Sequence, residues 1–184
     1  MTLLEAVNTC LSALGEARVT STTVRHPTVD LINGTLVMKQ RQLLERGWWF
    51  NTSDVTMYPS NTGEMEAPVN AISILGFNGE IFVVRNGMLF DMDNDTRFFT
   101  EPKQMRVFYN LNFEDLPECA ANVVMTRTAQ EVYSGDLGVD SSVARLQQLE
   151  IQSFADMEMI HLRNKRYSTK QRRDWQRISS ALRG

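Results

Sequence analysis

Asp91, Asp93 and Asp95 stand at alternate positions, the spacing with which a calcium-binding loop opens. Such a loop needs Gly directly after its third ligand and a bidentate Glu at its end. Thr96 holds the first of those places and Pro102 the second. The three carboxylates therefore read as a hydrated turn after a strand, with their charge open to a partner's basic surface. Catalysis needs positioned acids, bases or nucleophiles, and the chain has two histidines. His26 precedes Pro27 in a connector. His161 lies near the end of a helix, where a favourable interaction with the helix dipole accounts for it. No H-E-x-x-H, G-x-S-x-G or P-loop pattern occurs. Cys10 and Cys119 lie on helical patterns far apart, with no C-x-x-C and no nearby His. Both read as buried thiols of a reducing compartment. We expect no catalytic residue, no metal and no cofactor.

The elements that would hold these groups follow from periodicity. Thr2 and Glu5 form a capping box ahead of the apolar stripe Leu4, Val7, Leu11 and Leu14, which Gly15 ends. A connector from Glu16 to His26 leads to a second helix, Val29 to Glu45, with Thr28 as its cap and Val29, Ile32, Leu36 and Leu43 on its buried side. From Asn51 to Asn112 the period shortens. Strands are expected at 55–58, 69–75, 81–85, 88–91 and 105–109, with turn clusters between them. Asn86-Gly87 is the strongest hairpin signal, because both central positions of a type I′ turn need positive φ. A third helix opens at Asp115-Leu116-Pro117-Glu118 and runs to Gly135. Asp140 or Ser141 then caps a fourth, with Leu146, Leu149, Met157 and Ile160 along one side. The fold class is α+β: a four-helix bundle, α-α then α-α, with a small antiparallel β domain inserted. The expected divisions are 1–50 and 113–162 for the two halves of the bundle, 51–112 for the β domain and 163–184 for a basic arm.

The stretch Arg46-Gly47-Trp48-Trp49-Phe50-Asn51 marks the change of period. Gly47 suits a left-handed helix cap, and aromatics just past such a cap fold back onto the helix. Arg46, Gly47, Trp48 and Phe50 are therefore expected to form a joint between helical and β layers, with Trp48 and Phe50 mostly buried.

Hydrophobic residues make up 42% of the chain and charged ones 22%, ordinary values for a globular protein. No apolar run reaches the ~20 residues of a membrane span, and the N-terminus shows no secretory signal. The net charge of −3 conceals an asymmetry. Residues 163–184 carry eight basic groups against Asp174 alone, a net +7, which leaves −10 on the remainder. A basic arm on an acidic body signals a partner. Within the arm, Trp175, Ile178 and Leu182 have helix-in-groove spacing if the segment is helical. Arg163, Arg166, Arg172, Arg173 and Arg177 surround them. Docking on an acidic protein surface, contact with DNA phosphates and a merely solvated face are the three readings; the indole favours docking.

Several motifs together resemble the tail tubular protein A family of short-tailed bacteriophages, head-to-tail adaptors between portal and tail nozzle. They are Ala6-Val7-Asn8 with Leu11 and Leu14-Gly15-Glu16, then Arg46-Gly47-Trp48 with Phe50-Asn51. Val83 with Arg85-Asn86-Gly87 and Phe90-Asp91 follow, and then Leu116-Pro117-Glu118. The resemblance implies a ring of twelve copies in the virion tail, made in the host bacterial cytoplasm. It implies docking on the portal protein by the helical side and C-terminal segment, and a nozzle protein of tail tubular protein B type on the opposite side. Double-stranded DNA would pass through the lumen without sequence recognition. The competing reading is a sequence-independent nucleic-acid binder acting through the basic arm.

Overall fold

Helix α1 (Leu3–Leu14) begins on a complete capping box. The Glu5 N–H donates to Thr2 Oγ1 at 3.2 Å, and the Thr2 N–H donates to Glu5 Oε2 at 2.7 Å. Gly15, at φ 79°, ends the helix in the left-handed region. The connector that follows is tied back to α1 by Asn8. Its amide donates to the Val19 carbonyl at 3.0 Å and accepts the Val19 N–H at 2.8 Å. These contacts belong to a computed structural model that describes residues 1–138 and 141–165.

Helix α2 (Pro27–Leu44) starts earlier than its apolar period suggests. Pro27 takes the first helical position, where its fixed φ suits the helix and its missing N–H leaves nothing unpaired. Thr28 is therefore inside the helix and not its cap; its hydroxyl donates across the connector to Glu16 Oε1 at 3.0 Å. Helix α3 (Glu118–Leu137) departs from expectation in the same way. Pro117 stands at the N-cap, and Asp115 belongs to a short 3-10 turn, Phe113–Asp115, where it accepts from Asn112 Nδ2 at 3.1 Å. The helix passes through Gly135 to Leu137. Helix α4 (Ser141–Asn164) buries Val143 and Met157, while Leu149 faces solvent. Asp140, the other expected cap, lies outside the described residues. α3 packs against each of the other three helices, whereas α2 and α4 make little contact with each other.

All five strands lie between α2 and α3, so the chain is α+β. β1 (Thr52–Met57) and β2 (Ala71–Gly76) flank the central β5 (Lys103–Tyr109) in an antiparallel sheet. β3 (Phe82–Arg85) and β4 (Met88–Asp91) form a separate antiparallel hairpin across Asn86 and Gly87, whose φ values of 53° and 78° are those of a type I′ turn. β1 starts at Thr52, immediately after the joint, because Thr52 already pairs with Phe108 of β5. Val69 lies outside β2, and Asn70 takes φ 62° just before it. Two apolar cores result. One joins the four helices and includes Trp48; the other, around Met65, Leu89 and Met105, lies among the strands.

Candidate functional site

Where α2 meets the sheet, the chain turns on Gly47, which takes φ 72°. Any Cβ there would lie 2.6 Å from the Phe108 ring, so the close approach of joint and β5 requires glycine as much as the turn does. Trp48 folds back onto α2 and is 5% exposed. Its indole N–H donates at 2.7 Å to the Leu43 carbonyl in the last turn of α2, which the Arg46 N–H also reaches at 3.3 Å. Phe50 is only half-buried and meets Trp49 edge-on at 4.8 Å between ring centres. Arg46 is exposed, with its guanidinium 5.6 Å from the Phe154 ring centre.

The residue that closes the joint is Asn51, a buried polar side chain at 1% exposure. Its Oδ1 accepts the Trp48 N–H at 2.7 Å, and its amide donates to the carbonyls of Leu44 at 2.9 Å and Tyr109 at 3.0 Å. The Tyr109 N–H returns a bond to the Asn51 carbonyl at 2.8 Å. One side chain thus binds the end of α2, the aromatic turn and the end of β5. Asn51 was visible in the motif, but only its distant partner Tyr109 shows why an asparagine is needed there.

Helix α4 crosses this joint. Phe154 meets Trp48 edge-on at 5.9 Å, and the His161 ring meets it at 5.0 Å. The Trp49 N–H donates to His161 Nδ1 at 3.3 Å. Only a neutral imidazole accepts such a bond. Burial, with Lys165 adding to it and Glu158 opposing, holds the His161 pKa below its ordinary value. The helix-dipole account of His161 therefore gives way to one in which a neutral ring is packed against tryptophan. A cleft of about 340 Å³ beside it is lined, among the described residues, by Arg46, Gly47, Trp48, Glu158, His161 and Leu162. Further along, Arg127 pairs with Glu150 at 2.7 Å and places its guanidinium 5.0 Å from the Phe154 ring centre. The arrangement fixes the angle of α4 to the joint; it is built for packing.

The expected docking arm begins where α4 ends. Arg163 is exposed there, its guanidinium 3.9 Å from the Met159 sulfur. A second cleft of about 550 Å³ opens between the end of α4 and the sheet, lined by residues including Trp49, Asp54, Arg106 and Lys165. Arg106 grips Asp54 through two bonds of 2.7 and 2.9 Å and, with help from Lys165, holds its carboxyl below the usual carboxylate range. Arg166, Arg172, Arg173, Trp175, Arg177, Ile178 and Leu182 lie outside the described residues.

The remaining chemical candidates are explained by their neighbours. Asp91 Oδ1 accepts the N–H groups of Asp93 and Asn94 at 2.9 and 3.0 Å, and its Oδ2 accepts the Asn94 amide at 2.9 Å. Asp93 Oδ2 in turn accepts the Ile81 N–H at 3.0 Å. These carboxylates organise their own turn, and among the described residues no cluster of His, Cys, Asp or Glu could hold a metal ion. His26 sits at the N-cap of α2, 3.9 Å from Glu16. Cys10 is buried and its thiol is pushed up to about 12 by that burial; Cys119 is half-buried, and both are free. No described helix is long and apolar enough to cross a membrane.

Sequence comparison places these features among known proteins. The family model described as tail tubular protein matches residues 4–167. Tail tubular protein A of Klebsiella phage KP34 is 36% identical over 180 residues, which covers 97% of this chain and 96% of that protein.

Proposed function

This chain belongs to the tail tubular protein family and is a structural component of a phage tail, and on that premise we propose that it is the head-to-tail adaptor of a short-tailed phage. Twelve copies form a ring between portal and nozzle, and the genome passes through the lumen without sequence recognition. The chain works through its interfaces and not through chemistry. The helical side and the arm, with Arg163, Arg166, Arg172, Arg173, Trp175, Arg177, Ile178 and Leu182, meet the portal. The β side meets the nozzle. The joint at Arg46, Gly47, Trp48 and Phe50, locked by Asn51, keeps the two sides at a fixed angle, as an adaptor between two fixed structures requires.

The observation that carries this reading is the seating of α4. It packs on α3, crosses the joint through Phe154 and His161, and ends with Asn164 and Lys165 at the boundary between helices and sheet. An arm anchored so firmly at its root is suited to reaching a second protein. Its charge also supports the nucleic-acid reading, and one experiment divides the two. The intact chain and a chain lacking residues 166–184 are each mixed with the cognate portal and imaged. The truncation spares α4 and the joint. A portal capped by a ring with the intact chain, and left bare by the truncated one, is the expected result. Intact docking by the truncated chain, together with loss of a steeply salt-dependent DNA affinity, would assign the arm to DNA instead.

A further inference from the structure

Helices α2 and α4 each carry an apolar strip that no other described residue covers. On α2 it consists of Leu31, Val37 and Met38, at 54%, 68% and 41% exposure, around the open surface at Gly34. On α4 it consists of Ile151, Met159 and Leu162, at 52%, 47% and 53%, on the side away from the buried Met157. Leu31 and Met38 stand two turns apart on one line of α2, with Val37 beside Met38, and Ile151 and Leu162 stand three turns apart on one line of α4, with Met159 beside Leu162, so each set shares one side of its helix. Isolated apolar side chains at a surface need no explanation, but contiguous ones do.

The two strips differ and lie on different helices. α2 and α4 both pack on α3 and hardly touch each other, so their outer faces belong to separate parts of the subunit surface. A subunit with two unlike patches can contact a second copy head-to-tail, the one geometry that builds rings from identical chains. The charges along the strips choose the occupant. Asp30, Arg41 and Glu45 lie along the exposed face of α2, spaced by near-whole numbers of turns. Arg145, Asp156 and Arg163 lie the same way along α4, also exposed, and Glu158 adds a second acid in line with Ile151 and Leu162. With the two helices parallel, the order acid-base-acid on one answers base-acid-base on the other, Asp30 opposite Arg145, Arg41 opposite Asp156 and Glu45 nearest Arg163. In the monomer Arg41 reaches only the neighbouring turn, with Glu45 at 3.5 Å.

We infer that the α2 strip of one copy packs on the α4 strip of the next, with Arg41 set against Asp156 at the centre of the contact. This inference rests on the ring reading above and specifies which surfaces close the ring. It gives α4 two roles: Phe154 and His161 bind the joint of its own subunit, Ile151 and Met159 bind a neighbour, and Leu162 stands at the rim between the two. Charges so placed steer partners and fix register, while the apolar ridges supply the buried surface.

The test uses particles assembled with a chain carrying Met38→Cys and Ile151→Cys, with Cys119→Ser removing the half-buried native thiol. A bismaleimide treatment followed by denaturing electrophoresis should give a ladder well beyond dimers, because each copy is linked to two neighbours. Either cysteine alone should give no ladder. A twelve-fold ring visible by image averaging, but only monomers on the gel, would overturn the contact and leave the ring standing. Absence of a ring in untreated wild-type particles would instead remove the adaptor reading, and this inference with it. A charge exchange covers the case in which the cysteine chain fails to assemble. Arg41→Asp and Asp156→Arg should each lower incorporation about tenfold, and the two together should restore it, since like charges across an interface repel and the double exchange re-pairs them. Thermal melting of the purified variants at the wild-type temperature would show that the loss is not unfolding. Additive losses with no rescue would overturn the pairing.

Discussion

Asn51 and Trp48 show how much of the joint depends on single polar atoms in an apolar setting. Asn51→Leu keeps the volume but strips the Trp48 N–H of its acceptor and removes a donor from the carbonyls of Tyr109 and Leu44, the second of which keeps the Gly47 N–H at 3.1 Å. Each such group costs about 1–3 kcal/mol when buried, so the substitution should destabilise the chain by several kcal/mol in a denaturant melt. A neutral result would mean that water reaches all three groups. Trp48→Ala removes the indole that fills the angle between α2 and α4 and should cost about 3–5 kcal/mol, read in the same melt. Phe50→Ala serves as its control. That ring is only half-buried where it packs on the helical core, whereas Trp48 is 5% exposed, so its loss should cost clearly less. Equal losses at the two positions would show that Trp49 and Phe50 are the real support. Gly47 admits no substitution test of comparable clarity, since φ 72° and the Phe108 ring oppose any side chain together.

Helix α4 ties a titration to this packing. The Trp49 N–H and the burial of His161 both favour its neutral form, so its folded pKa lies below the ordinary histidine value near 6.5. The unfolded chain then binds the proton first. Stability from this group is complete above about 6.5 and is lost as the pH falls toward the depressed folded value. Asp54 and Glu5, both held below their ordinary carboxylate values, lose theirs only in a separate and more acidic window. Melting temperature should therefore fall in the mildly acidic range for the wild type, and His161→Asn should flatten that first decline. An unchanged pH profile in the variant would refute the assignment. The same helix shows which elements can be read without the fold. The capping box of α1 and the Asn86-Gly87 turn are legible because each is settled by residues within a few positions. The starts of α2 and α3 are not, since Thr28 is claimed by Glu16 and Asp115 by Asn112. On α4 the apolar residues occupy more than one face, and periodicity cannot say which face packs inward, so Leu149 reads as core when it is exposed. The joint was legible as a change of period at Gly47 and Trp48; Asn51 and His161 act through residues of distant elements, Tyr109 and Trp49.

Over the whole molecule, the separation of charge sets how the chain can handle a passing genome. Residues 163–184 carry +7 and the rest carries −10, so any attraction to a duplex should reside in the arm while the body repels it. If the chain forms the proposed ring, a lumen lined by such a body would let DNA slide without sticking. The salt dependence of DNA binding makes this quantitative. Residues 166–184 contain six basic groups, and neutralising them all against phosphate would give a log–log slope of about −5 at most. The intact free chain should bind duplex weakly, with a slope no steeper than that, and without preference among sequences. The chain lacking residues 166–184 should show no binding at low salt, where attraction to phosphate is strongest. Within an assembled ring docked on the portal, the arms are occupied by protein and the affinity should fall well below that of the free chain. Persistent affinity in the truncated chain would place a basic surface on the body and contradict the sliding lumen. Undiminished affinity in the docked ring would leave the arms free to meet DNA, and the portal would have to be held by the helical side alone.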